Sequence, residues 1–490
     1  MTGRLRTLAG LPDGVARPAY VPAAHGPGIV HLGLGAFHKA HQAVYTDDAL
    51  AAAGGDWRIV GVSLRSAQPA RALTPQNGLF TVIARGAGGS RARVIGALAR
   101  ALHLGTDRPA VLAALCDPAT RIVSLTVTEK GYGIDRTTGG IDRAHPAIAA
   151  DLATPDAPHG VAGLLVWALG RRRAAGVAPF TVLCCDNLPD NGRLVRGLLV
   201  DFARAAAPEL ADHIARDVAF PATMVDRITP AQDPGTGDLA TALIGRRDAA
   251  AVETEPFRQW VIEDRFPTGR PTWEAGGALF VADVRPFEAM KLRMLNGTHS
   301  MLAYAGFLAG HAFVRDAMAD TALAALVGRH LGAAAATLAP LPRLDLGAYA
   351  EALRARFANP HLAHATSQIA MDGSEKMPQR IFAPAAAARL RGQPPDAFAF
   401  AAAAWIRYLT GRSDAGAPYD MRDPREAVLR ACVADGAAPH EMVARLHALP
   451  GLVGPDLAAD PDWTTAVARR LALMRDRGMR AAIAAEAAAL

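Results

Sequence analysis

The feature that most limits the fold is an alternation confined to the first 285 or so residues. Residues 29–32, 58–64, 80–83, 122–127 and 180–183 are short, nearly continuous runs of β-branched and apolar residues, separated by stretches of helical character. Strands that are apolar on both faces need helices on both sides of their sheet, so the pattern predicts a buried, largely parallel sheet. Residues 278–282 read as its last strand, ahead of a helix that starts near Pro286, a favoured first helical position. Beyond that point strand signals vanish, and 301–310, 320–336, 345–357, 384–390, 397–409 and 462–490 all read as helix. A chain of 490 residues is too long for one hydrophobic core. The expectation is an α/β Rossmann-type domain with a mostly parallel sheet over 1–285 and an all-α domain over 286–490.

Charge and cysteine usage narrow the partners. The balance is 52 − 46 = +6, spread thinly, with no basic run or aromatic-basic interleaving of the kind nucleic acid selects. Cysteines stand at 116, 184, 185 and 432, a spacing that offers neither a metal site nor a disulfide framework, so a reducing, cytoplasmic setting is expected. The N-terminal residues lack a signal-peptide h-region, and the nearest approach to a membrane span, 397–406, is short and alanine-rich. A small-molecule ligand is expected, not nucleic acid or a membrane.

Several polar residues stand where such a sheet would bind that ligand. Gly33-x-Gly35 follows the first strand and precedes helical sequence, the context of a dinucleotide-binding turn, although His38 occupies the place of a third glycine. A tight strand-to-helix turn is the alternative. At the tip of the second strand Arg65-Ser66 replaces the carboxylate that would bind a ribose, and Arg65 could meet a 2′-phosphate. Glu129 and Lys130, Asp186 and Asn187, and Asp226 and Arg227 each follow a strand. Ligands of doubly wound sheets bind beyond such ends, but Asp and Asn there also cap helices.

The run Lys291-Leu-Arg-Met-Leu-Asn296-Gly-Thr-His299 reads as amphipathic helix. At about 100° per residue, Lys291, Glu288, His299 and Asn296 fall near roughly 0°, 60°, 80° and 140°. A lysine near neutrality can exchange a proton with a carbonyl oxygen, and amides can hold that oxygen as charge builds. A second polar stretch carries His364, Lys376 and Arg380, cations suited to a carboxylate or phosphate, or else a loop with capping Asp and Ser.

These segments together resemble the mannitol dehydrogenase family, the polyol-specific long-chain dehydrogenases. The likeness rests on 33–42, 124–132, 185–192, 223–228, 255–264 and the helix 291–299, and so spans nearly the whole chain. It implies zinc-independent, nicotinamide-dependent reduction of a sugar ketone, with no metal. Lys291 would be the general acid/base, Asn187 and Asn296 would hold the substrate oxygen, His299 would position it, and Glu288 would pass the proton to solvent. Gly33, Gly35, Ala36, Phe37, Arg65 and Glu129 would face the cofactor. NAD is the family's usual choice, and Arg65-Ser66 leaves NADP open. Within the family, Thr128–Tyr132, 255–264 and 368–380 are most similar to the branch that reduces the uronate D-fructuronate to D-mannonate. Lys130, Asp226, His364, Lys376 and Arg380 would then be substrate-binding, the cations neutralising a carboxylate that mannitol lacks. The competing readings are a mannitol 2-dehydrogenase or other polyol dehydrogenase and a non-catalytic nucleotide sensor. A monomer or small homo-oligomer is expected.

Overall fold

A computed structural model describes residues 3–490 apart from 136, 232 and 435. The chain divides into two compact units, Met1–Arg285 and Pro286–Leu490.

The first unit is built on five strands, Pro27–Leu32, Arg58–Ser63, Leu98–His103, Ile122–Leu125 and Thr181–Cys184. All their pairings are parallel. Numbered as they occur in the chain, their spatial order is 3-2-1-4-5, the order of a Rossmann sheet. Alternation along each strand explains the continuous apolar runs. Val30, Leu32, Val60, Val62, Val123, Leu125 and Val182 enter one core with the helices Val161–Ala174 and Asn191–Ala206. Ile29, Ile59, Ile122 and Leu183 enter the core on the opposite face, with Val44, Leu50, Trp260 and Trp273. Both faces of the inner strands are dry, so these strands read as apolar runs without regular polar alternation.

Three predicted strands lie outside this sheet. Phe80–Gly86 pairs antiparallel with Gly89–Ile95 and parallel with Val252–Thr254. Thr223–Asp226 and Leu279–Val281 flank Gln259–Glu263 in a third sheet, antiparallel and parallel respectively. An apolar run reports burial on both faces and carries no information about which sheet buries it. Leu98–His103 was missed because Arg100 and His103 interrupt its apolar pattern.

The second unit is helical. The alanine-rich helix Asp396–Leu409 is buried from Ala397 to Leu409 and is its central element. A helix apolar on every side must be surrounded, and Gly297–Leu308, Thr321–Ala336 and Pro461–Ala487 pack against it. The predicted single helix over 462–490 is corrected: Gly478 (φ 79°) is non-helical and folds the segment back on itself. Arg470, 4 % exposed, thereby reaches Glu486 at 2.6 Å. In a straight helix those residues would be about 24 Å apart. Among the described residues, no helix is long and apolar enough to cross a membrane.

Candidate active site

In the first unit the strand order reverses between Pro27–Leu32 and Ile122–Leu125, and the crevice beyond their carboxyl ends is where such sheets bind ligands. Two turns face each other there. Gly33 has φ 105°, and a Cβ on it would run into the Thr126 carbonyl, so glycine is demanded by the neighbouring strand. At Gly35 a Cβ would meet nothing nearer than the Gly33 carbonyl oxygen at 3.6 Å. The backbone there stands open to a ligand, above the first turn of the helix Ala36–Ala40. That geometry fits a dinucleotide pyrophosphate. The helical sequence after the turn forms two helices, Ala36–Ala40 and Gln42–Ala53, with a break at His41.

A buried polar chain fixes this turn. His31 Nδ1 lies 2.8 Å from Ser124 Oγ, and its Nε2 lies 2.9 Å from Thr126 Oγ1. Thr126 Oγ1 donates to the Gly33 carbonyl at 2.9 Å, and Ser124 Oγ lies 2.8 Å from the Gln42 amide. Ser124 Oγ donates to Gln42 Oε1 and Thr126 Oγ1 to the Gly33 carbonyl, with the His31 ring held between the two hydroxyls. Burial pushes the His31 pKa down to about 3, so the ring is neutral. His38, at the place of the missing third glycine, stacks on His31 at 3.6 Å between centroids. Burial also lowers His41, to about 3.

The loop after Ile122–Leu125 is held just as firmly. Asp186, beyond the fifth strand, accepts from Val127 N (2.8 Å), Thr128 N (3.1 Å) and the Tyr132 hydroxyl (2.7 Å). This clamp holds Thr128 at φ 68°, ψ 153°, a conformation that costs a non-glycine residue about 1–3 kcal/mol. Glu129, Lys130 and Asn187 are exposed beside the clamp, and Arg65 is exposed after the second strand. Asp226 is 4 % exposed. Sequence reasoning singled out Asp186 by position but gave no sign of its partners, and a threonine gives no warning of positive φ.

In the second unit, the regular α-helix expected over 291–299 is corrected. Lys291–Asn296 is π-helical, and the Gly297 N–H reaches back to the Leu292 carbonyl. One extra residue in the turn moves Asn296 from about 140° to about 40° from Lys291, and His299 to within about 20°. Lys291, Asn296, His299 and Glu288 therefore share a narrower sector than a regular helix would give. A second π-helical turn, Pro378–Phe382, contains Arg380. The two turns touch at Gly297, where a Cβ would stand 2.8 Å from the Arg380 carbonyl oxygen.

The second polar stretch does converge on this helix. His299 (8 % exposed) lies edge-on to His364 at 5.2 Å between centroids, and Arg380 Nη1 donates to Ser300 Oγ at 3.2 Å. Burial, then the charges of His364, Arg356 and Arg380, hold His299 well below the usual imidazole range, so it is neutral. Burial and Arg380 lower Lys376 as well. The Lys376 ammonium donates to the carbonyls of Met371 (2.5 Å) and Ile369 (3.3 Å) and lies 3.8 Å from an Asp372 carboxylate oxygen. Among the described residues no group of three or more His, Cys, Asp or Glu is placed to hold a metal ion.

Residues 27–275 match the model of the mannitol dehydrogenase Rossmann domain, and residues 283–474 match that of the mannitol dehydrogenase C-terminal domain. The chain is 45 % identical to the uncharacterized oxidoreductase YeiQ of Escherichia coli (strain K12), over 93 % of this chain and 94 % of that one. It is 42 % identical to the D-mannonate oxidoreductase of the same organism, over 96 % and 98 %. Among solved structures, the ternary complex of Pseudomonas fluorescens mannitol 2-dehydrogenase with NAD and D-mannitol is 38 % identical, covers 99 % of each chain and gives a TM-score of 0.81.

The two glycines of the turn should behave differently on substitution. Gly33→Ala should lower the melting temperature sharply. Gly35→Ala should melt as the wild type does but bind a dinucleotide about tenfold more weakly by calorimetry. Equal effects on stability would contradict the assignment. The buried histidines also set a pH dependence. His31 and His41 stay neutral in the fold, whereas the unfolded chain takes up protons below about pH 6.5, so their contribution is present above that pH and lost as pH falls. Urea melts at pH 7 and pH 5 should differ by about 2 kcal/mol per histidine; a flat profile would contradict it.

Proposed function

The chain belongs to the mannitol dehydrogenase family and is an oxidoreductase of that family, and from this premise we propose that it reduces the ketone of D-fructuronate to D-mannonate. A nicotinamide dinucleotide, NAD by preference, supplies or accepts the hydride when bound. The single observation that carries the reading is the π-helical turn that gathers Lys291, Asn296 and His299 into one sector. Lys291 donates a proton to the carbonyl oxygen as it becomes an alkoxide and takes it back in the reverse direction. The amide of Asn296 donates a hydrogen bond to that oxygen, and the family resemblance gives Asn187 the same role. Neutral His299 orients the adjoining hydroxyl, and Glu288 exchanges the proton of Lys291 with solvent. Gly33, Gly35, Ala36, Phe37 and Glu129 are proposed to face the dinucleotide, with Arg65 near its ribose.

The choice of a sugar acid over a neutral sugar is supported by the positive surroundings of His299. Arg356 and Arg380 bear on it electrostatically, while burial and Lys376 lower His364, so it is the two guanidinium groups that favour a carboxylate. Arg380 is the strongest candidate for that contact. Lys376 has two of its three donors on carbonyls and contributes mainly field, while Lys130 and Asp226 are assigned to the substrate on resemblance alone. The second reading, a polyol dehydrogenase acting on a neutral substrate, is favoured by likeness to the mannitol-bound Pseudomonas structure.

Initial rates with fructuronate, tagaturonate and fructose, each with NADH and NADPH, separate these readings. Fructuronate with NADH should be fastest, and a preference for fructose would replace the uronate by a neutral ketose. Lys291→Ala should lower kcat by about 10²–10⁴ while the dinucleotide still binds. Near-normal turnover in that variant would remove Lys291 from the mechanism.

A further inference from the structure

Two of the sequence segments that mark the family, 223–228 and 255–264, meet at a place that the proposed reaction leaves unexplained. A cavity of about 270 Å³ in the first unit is lined by Arg227 from one segment and Arg258 from the other, together with Arg91 and Arg93. No carboxylate lines it among the described residues, and Val82 and Pro256 contribute to its apolar wall. None of the residues assigned above to cofactor or substrate is among its lining.

Two of these guanidinium groups have carboxylate partners outside the lining. Arg93 pairs with Asp47 and Asp48, each at 2.6 Å, and Arg258 Nη2 pairs with Asp48 at 2.7 Å. Asp47 also accepts from the Tyr20 hydroxyl and from Gly96 N. Glu255 is the third carboxylate nearby, and its Oε1 accepts from Ile228 N at 2.6 Å. With the buried Asp226, four carboxylates surround the four guanidinium groups, and none of them opens into the cavity. Arg227 is 9 % exposed and donates to the main-chain carbonyls of Ala40 and Glu255. Arg258 Nη1 is buried without a hydrogen-bond partner, while its guanidinium lies 4.6 Å from the centre of the Tyr45 ring. An unpartnered buried donor on a charged group is costly. An oxyanion supplies the missing acceptor, since a guanidinium fork binds it bidentately.

We propose that this cavity is a second ligand site, distinct from the reaction centre, which takes the phosphate group of a small phosphorylated molecule. Arg258 and Arg227 hold the phosphate, Arg91 closes on it from the exposed side, and the apolar wall receives the organic part. A phosphate offers oxygens to three guanidinium groups at once, which a carboxylate with two oxygens does not.

The test is calorimetric titration of the full chain with inorganic phosphate, with acetate and chloride at matched ionic strength as the other arms. Phosphate should bind where chloride does not, and more tightly than acetate. Arg258→Ala should weaken it about tenfold or more, as expected for one charge-assisted pair. Removing Arg258 also strips Asp48 of a partner, so Arg91→Ala, an exposed position, serves as the second variant and should weaken phosphate by a smaller but measurable factor. Each variant should keep its wild-type turnover in phosphate-free buffer, which separates failure of this site from failure of the proposed reaction. Phosphate binding that is equal in the wild type and both variants, or no stronger than chloride, would overturn the proposal. Acetate binding as tightly as phosphate would overturn the phosphate assignment.

Discussion

The polar row of the second unit depends on the close approach of two helical turns at Gly297. Each turn carries one residue more than an α-helix allows, and they touch where the glycine lacks a side chain, against the Arg380 carbonyl. The extra residue in the first turn rotates Asn296 and His299 towards Lys291. The second turn carries Arg380 to Ser300, one residue beyond His299. Burial and the surrounding cations then keep the imidazole neutral. A neutral ring can orient a substrate hydroxyl without competing for the proton that Lys291 is proposed to deliver.

The first unit solves a related problem with different means. Its glycine turn is fixed by a relay of hydrogen bonds from Gln42 through Ser124, His31 and Thr126 to the Gly33 carbonyl. The loop on the other side of the crevice is fixed by Asp186. Each device uses a buried polar side chain to hold main-chain groups that the parallel sheet leaves unpaired beyond its strand ends. Rigid turns at the strand-order reversal are what a ligand with a long phosphate backbone requires.

Much of the architecture was legible from residue patterns. Runs buried on both faces announced the parallel sheet, and 3.6-residue periodicity placed the helices Thr321–Ala336, Leu346–Phe357 and Asp396–Leu409 within a residue or so. What escaped has common physical causes. The π-helical turns were invisible because an extra residue in a helix changes no composition, and Gly297 reads as a weak helix position until its neighbour is known. The strand at Phe80–Gly86 was recognised but assigned to the wrong sheet, since burial does not name the partner. The carbonyl partners of Lys376 could not be foreseen, because side-chain-to-carbonyl bonds depend on where the chain turns. The relay through His31 joins residues 93 and 95 positions apart, a separation no local pattern reveals.

Gly297→Ala tests the central claim most directly, because its Cβ would press on the Arg380 carbonyl oxygen at 2.8 Å and on His330 Nε2 at 3.2 Å. The measurement is single-turnover reduction of fructuronate by the variant with bound NADH, beside its melting curve and its dinucleotide affinity. The account predicts a folded protein that binds the dinucleotide normally and transfers hydride far more slowly. Wild-type turnover in a folded Gly297→Ala variant would show that contact between the two turns does not set the geometry of the reacting groups.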